Sequence, residues 1–130
     1  MATLSSPRGK ISVLNLPTVG DTREQILREV WGNEQVSIDH VIMRPGEESI
    51  IQEHHTFTKL YYILQGFGKM TVGPEEFMVQ SETLIEVPPH TWHKLHNTGF
   101  MPLRHLVIST PPFDTKDVVL LGAGIPGGIR

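Results

Sequence analysis

The sequence predicts an all-β chain folded as a sandwich or small barrel, and three observations carry that expectation. From Val36 to Thr110 the apolar patterning is strand-like, with side chains two residues apart falling on one face. The chain has 12 Gly and 10 Pro, and those between Pro45 and Gly99 are spread as punctuation rather than pooled in linkers. The punctuation leaves short segments at turn spacings of about ten residues, the rhythm of sandwiches and barrels. At 130 residues with 38% apolar composition the chain buries one core and makes one domain.

The elements follow in chain order. Residues 1–35 read as an arm with edge elements, because Pro7, Gly9, Pro17 and Gly20 interrupt any period in the first twenty. Asp21-Thr22-Arg23-Glu24 has the form of a capping box and predicts one helical turn. Gly32-Asn33, between Glu29-Val30-Trp31 and Glu34-Gln35-Val36, has the form of a hairpin turn, so a strand is expected to follow the helical turn. Residues 36–112 form the barrel core. Its strands are Val36 to Arg44, Ile50 to His55, Lys59 to Leu64, Lys69 to Val72, Phe77 to Gln80, Thr83 to Val87, His93 to His96 and Leu103 to Thr110. Residues 113–130, ending in a Gly-rich run, read as a C-terminal tail.

Composition excludes several function classes. Eleven Lys and Arg against 14 Asp and Glu give a net charge of −3 with no basic run, so no nucleic-acid partner is expected. No cysteine is present, which removes disulfides, thiolate chemistry and Cys-rich zinc modules. The amino terminus lacks the apolar stretch of a signal segment, and nothing approaches the ~20 apolar residues of a membrane helix. A cytoplasmic protein without membrane association is the expectation.

Two groups of residues resemble the motifs of the cupin superfamily. Gly46, Gln52, His54, Lys59 and Gly66 fall at the spacings of G-x5-H-x-H-x4-E-x6-G, and Pro88, His93 and Asn97 at those of P-x-G-x2-H-x3-N. The resemblance covers Val36 to Pro112, is closest to the small single-domain cupins labelled mannose-6-phosphate isomerase-like, and concerns fold rather than activity. It implies a double-stranded β-helix, or jelly-roll, barrel with an irregular amino-terminal arm and a short carboxy-terminal tail. It also implies a homodimer, and a lumen where three His and one Glu hold a divalent metal. This chain departs from that set: Gln52 stands where the first His would be, and Lys59 where the Glu would be. Two positions that are usually glycine carry Glu82 and His90.

Spacing alone places these groups together. Gln52 and His54 share one face of a strand, and Lys59, Tyr61 and Ile63 share one face of the next. Closing the barrel brings His93 opposite, so Gln52, His54, Lys59, Tyr61 and His93 converge on the lumen. His40 and His105 lie on strands that can also feed it, as supports behind the ligands. Trp92, beside His93, is a candidate for stacking on a ligand. His55 and His96 are expected at the surface, and His90 at a turn.

Three functions remain open. In the first, Gln52, His54 and His93 hold zinc, iron, manganese or nickel as a Lewis acid, and Lys59 or Tyr61 carries the proton in an isomerisation, cyclisation or elimination. Lys59 weighs against it: a unit charge at ~4 Å in a dielectric near 20 costs about 4 kcal/mol, and about twice that beside a divalent ion. In the second, Lys59, His93 and Tyr61 perform acid and base chemistry without metal. In the third, the lumen binds an oxygen-rich small molecule, such as a hydroxy or keto acid, a sugar or an enol, without turnover. No organic cofactor is expected in any of them.

Overall fold

In the computed structural model, which describes residues 2–6, 9–13 and 25–120, every element except the 3-10 turn Thr115–Asp117 is a β-strand. β1 (Ala2–Ser6) and β2 (Gly9–Val13) pair as an antiparallel ribbon. The next strands are β3 (Gln25–Gly32), β4 (Ser37–Met43), β5 (Gln52–His54), β6 (Thr58–Gln65) and β7 (Phe67–Val72). They are followed by β8 (Glu75–Gln80), β9 (Leu84–Val87), β10 (His93–Asn97), β11 (Leu103–Thr110) and β12 (Val118–Leu120). Two five-stranded antiparallel sheets result, in the orders β3-β4-β11-β6-β9 and β12-β5-β10-β7-β8. Among the described residues no helix is long and apolar enough to cross a membrane.

The sheets face each other across one core. Val41 and Met43 of β4, Tyr61 and Ile63 of β6 and Leu103 and Val107 of β11 pack with Met70 of β7, Val79 of β8 and Leu95 of β10. Each fully buried apolar side chain contributes roughly 1.5–3 kcal/mol. The strict alternation along β6, β10 and β11 decides what else faces inward. Along β11 the inner face carries Leu103, His105, Val107 and Ser109 in turn, so polar and apolar side chains alternate on it. Register aligns Ser109 with Lys59 of β6, and across the barrel His93 of β10 with Gln52 of β5. These aligned polar groups gather at one end of the interior.

Turn chemistry holds the frame. Gly66 has φ +98°, and a Cβ there would stand 2.8 Å from the Pro102 carbonyl oxygen, so only glycine fits. Glu82 and His90 also adopt positive φ, 70° and 63°, at the two positions where glycine was expected. The buried Asn97 side chain donates to the carbonyls of Met43 (3.0 Å) and Met101 (2.9 Å) and accepts from the Gly99 amide (2.9 Å). A residue that reads as part of a motif is thus a clamp between β4 and the turn after β10.

Several expectations change. The hairpin after β3 is not a two-residue Gly32-Asn33 turn. Gly32 pairs with Ser37, the Asn33 amide donates to the Val36 carbonyl (2.9 Å), and the Asn33 carboxamide accepts from the amides of Gln35 and Val36 (2.8 and 3.0 Å), so the turn spans residues 33–36 and is closed by backbone and side chain together. Residues 1–35 carry β1, β2 and β3, and β3 is an edge strand, paired with β4 at one end of its sheet. Beyond residue 112, β12 pairs with β5 (Val118 to His54, Leu120 to Gln52) and so borders the strand that carries Gln52 and His54. The capping box at Asp21–Glu24 lies outside the described residues.

Candidate functional site

The polar end of the interior is built by four strands. β5 contributes Gln52 and His54, β6 Lys59 and Tyr61, β10 His93, and β11 His105 and Ser109; none is more than 1% exposed. Lys59 Nζ donates to Gln52 Oε1 at 3.3 Å and lies 5.7 Å from the centre of the Tyr61 ring and 5.5 Å from that of Phe113. His54 meets His93 edge-on with ring centres 5.1 Å apart, and its other face stacks on Phe57 at 4.3 Å. Tyr61 approaches His93 at 6.0 Å and His105 at 5.7 Å.

The protonation states follow from these contacts. His93 Nδ1 lies 2.9 Å from the Thr91 carbonyl, which only accepts, so Nδ1 carries the proton and Nε2 keeps a free lone pair. Burial, reinforced by the Lys59 charge, lowers His93 to about 3 and His54 to about 4. Burial lowers His105 to about 3, with the charges of His40 and then Lys59 adding to it. All three rings are neutral at pH 7. Burial pushes the Tyr61 phenol upward, so it stays protonated and can donate.

These groups are short of partners. Among the described residues, Gln52 Nε2, Tyr61 Oη, His93 Nε2, His105 Nδ1 and Ser109 Oγ are buried without a hydrogen-bond partner. Leaving such an atom unpaired costs about 1–3 kcal/mol, so their gathering makes this end of the barrel the candidate site.

The donor set does not fit the divalent metal of the three-His, one-Glu cupins. Gln52 turns its oxygen, the only ligating atom it has, toward Lys59, and the Lys59 ammonium occupies the place of the carboxylate. Among the described residues no three His, Asp or Glu side chains gather as a metal site.

The remaining candidates sort by strand face. His105 points inward with Leu103 and Val107. His40 does not: it lies on the opposite face of β4 from Val41 and Met43, where Arg104 Nε donates to its Nε2 at 3.3 Å. Trp92 is half-buried, and its carbonyl accepts from the Gly73 amide at 2.6 Å. His55 is exposed, stacks on His90 at 4.5 Å and meets Glu53 Oε1 at 2.9 Å; His96 is half-buried. The sequence reading missed Ser109, Asp39 and Phe113 as interior or site-lining groups. Ser109 and Asp39 share a strand face with Val107 and Val41, a two-residue signal that was available; Phe113 follows the last core strand and carries no such signal.

With the geometry in place, comparison fixes the family. Residues 39–109 match the cupin domain. The chain belongs to the cupin family. The uncharacterized protein MJ1618 of Methanocaldococcus jannaschii is 34% identical over 99 residues, spanning 76% of this chain and 79% of that protein. A mannose-1-phosphate guanylyltransferase of Salmonella typhimurium is 29% identical over 80 residues, 62% of this chain but only 17% of the transferase, so the likeness concerns one part of a much longer protein. Among solved structures, KdgF from Halomonas sp. superposes with a TM-score of 0.71 at 14% identity, covering 77% of this cupin and 92% of KdgF, which shows a shared fold.

Proposed function

We propose that this cupin takes a small oxygen-rich metabolite into the polar end of its barrel and moves a proton on it, with the buried Lys59 ammonium supplying the positive charge that a metal supplies where the ligand set is complete. The observation that carries this reading is the position of Lys59, against Gln52 and electrostatically coupled to the neutral rings of His54 and His93. An ammonium in a water-poor interior stabilises charge developing on a substrate oxygen, as an alkoxide or enolate forms. His93 Nε2 is free to accept a proton, and Tyr61, held protonated, can return one. The reaction class is isomerisation, epimerisation or elimination.

The metal-assisted alternative draws on the facing rings of His54 and His93, but a divalent ion between them would stand against the Lys59 charge. The names of the relatives put sugar phosphates among the compounds to try. Proton abstraction is detectable before the product is known: incubate chelator-treated protein in D2O with hydroxy acids, oxo acids, sugars and sugar phosphates, and follow deuterium entering carbon by NMR. Incorporation is expected to survive chelation and to fall at least roughly a hundredfold in Lys59→Met and His93→Gln. Incorporation that disappears on chelation and returns with zinc, manganese, iron or nickel would establish the metal-assisted route instead.

A further inference from the structure

We infer that the segment from Phe113 to Leu120 is the door of the interior: a ligand enters where this strap lifts from the edge of β5, and Phe113 is the side chain that closes the opening. This rests on the reading of the interior as a ligand site and adds how that site is reached. Its first basis is enclosure. Gln52, His54, Lys59, Tyr61 and His93 are each at most 1% exposed, so nothing reaches them from solvent until a wall moves.

Most walls are poorly suited to moving. β5, β6, β10 and β11, which carry the site, each lie inside a sheet with a paired strand on both sides. Lifting any of them breaks two ladders and opens the core. The turn at residues 88–92 is fastened by backbone bonds: the His90 amide donates to the His54 carbonyl at 2.7 Å, and the Trp92 carbonyl accepts from the Gly73 amide at 2.6 Å. The Thr91 carbonyl also holds His93 Nδ1 at 2.9 Å, so opening there would release the ring on which the proposed chemistry depends.

The strap is built otherwise. Among the described residues β12 is three residues long and pairs on one side only, so its departure leaves β5 still paired with β10. Just before it, one oxygen of Asp117 latches the loop after β5, accepting from the His55 and Thr56 amides and the Thr56 hydroxyl at 2.7–2.9 Å. These bonds are exposed to solvent, where water competes for them. At the other end of the strap the Phe113 amide rests on the Ser37 hydroxyl at 2.8 Å rather than on a strand ladder.

What the strap covers is the second basis. The half-buried Phe113 ring reaches inward to 5.5 Å from Lys59 Nζ and 5.6 Å from the Phe57 ring, which in turn stacks on His54 at 4.3 Å. One side chain thus lies over the ammonium and, through Phe57, over an imidazole. Lifted, it opens a route to both. Returned, it keeps water from the site while charge develops on a substrate oxygen.

Access is measurable without ligand or turnover, so the door and the proposed chemistry fail separately. Diethyl pyrocarbonate modifies neutral imidazole, and its initial rate at His93, read by mass spectrometry beside the half-buried His96, reports entry at neutral pH. The chain has no cysteine, so Glu53→Cys with Val119→Cys, a directly opposed pair in the β5–β12 register, adds a single disulfide that pins the strap. The oxidised form is expected to label at His93 at least roughly tenfold more slowly than the same protein reduced. Asp117→Ala and Phe113→Ala should each label at least roughly tenfold faster than the unaltered chain, while the amides of Leu95 and Val107 keep their protection from exchange. Equal rates in the oxidised and reduced forms overturn the proposal. An unchanged rate in both Asp117→Ala and Phe113→Ala overturns it as well, whether or not the disulfide closes. So does His93 labelling that follows the exchange of Leu95 and Val107 in every form, because the route is then unfolding of the barrel. A staple that slows labelling, with no deuterium entering carbon from any compound, supports the door and removes the chemistry.

Discussion

The ammonium of Lys59 and the imidazoles of His54 and His93 are buried side by side, so a change in one is felt by the others. After burial itself, the Lys59 charge is the largest influence keeping each of the two rings deprotonated. Lys59→Met is therefore expected to raise the titration midpoints of both rings from about 4 and about 3 toward 6.5 without reaching it, read by histidine NMR in the metal-free protein. Unmoved midpoints would mean that the ammonium points away from the rings, and the proposed chemistry would lose its cation. The residues behind this prediction were legible in the sequence because a strand repeats every two residues, so Gln52 with His54 and Lys59 with Tyr61 had to share faces. The same parity separates His40 from them: it alternates with Val41, whose inward position turns the imidazole to the other side of the sheet. What alternation does not contain is the hydrogen bond from Lys59 to Gln52, which depends on two strands in different sheets meeting across the barrel.

At the scale of elements, β12 and the 3-10 turn before it belong to the site although they follow the last strand the sequence announces. One oxygen of Asp117 accepts from the amides of His55 (2.9 Å) and Thr56 (2.7 Å) and from the Thr56 hydroxyl (2.7 Å), clasping the loop that leaves His54. Burial opposes the Asp117 charge, but these hydrogen bonds outweigh it and hold the carboxyl below its ordinary value. On the other side the Phe113 amide donates to Ser37 Oγ at 2.8 Å, which seats the Phe113 ring against Phe57 and near Lys59. Asp117→Ala should release the clasp. The His55 and Thr56 amides are expected to exchange with solvent at least roughly tenfold faster, while Leu95 and Val107 in the core keep their protection. Equal protection at His55 and Thr56 in the variant would show that β12 is held by its strand pairing alone. None of this was readable beforehand, since the segment is short, follows two prolines and is ordered by a single carboxylate rather than by a hydrophobic period.

For the whole molecule, neutral buried histidines become a liability in acid. His54, His93 and His105 take up a proton near 6.5 in the unfolded chain but only at about 4, 3 and 3 in the folded one. Between those values the unfolded state binds more protons, so stability is full above 6.5 and falls as the pH drops toward 3. A ring that is protonated only when unfolded removes about 1.4 kcal/mol per pH unit, so three together remove at most about 4. Against a typical domain stability of roughly 5–15 kcal/mol, such a slope consumes the fold within a few units below 6.5. Urea unfolding of the metal-free protein at a series of pH values is expected to show a steep loss between about 6 and 4 and little change between 7 and 8. Replacing His105 by Gln, which cannot take up a proton, should flatten the slope by about one third even if it lowers the overall stability. A slope unchanged by that substitution, or a stability flat down to pH 4, would mean that the imidazoles are charged or hydrated in the folded barrel. The polar end of the interior would then be a wet cleft rather than the closed chamber in which Lys59 and His93 can act on a proton.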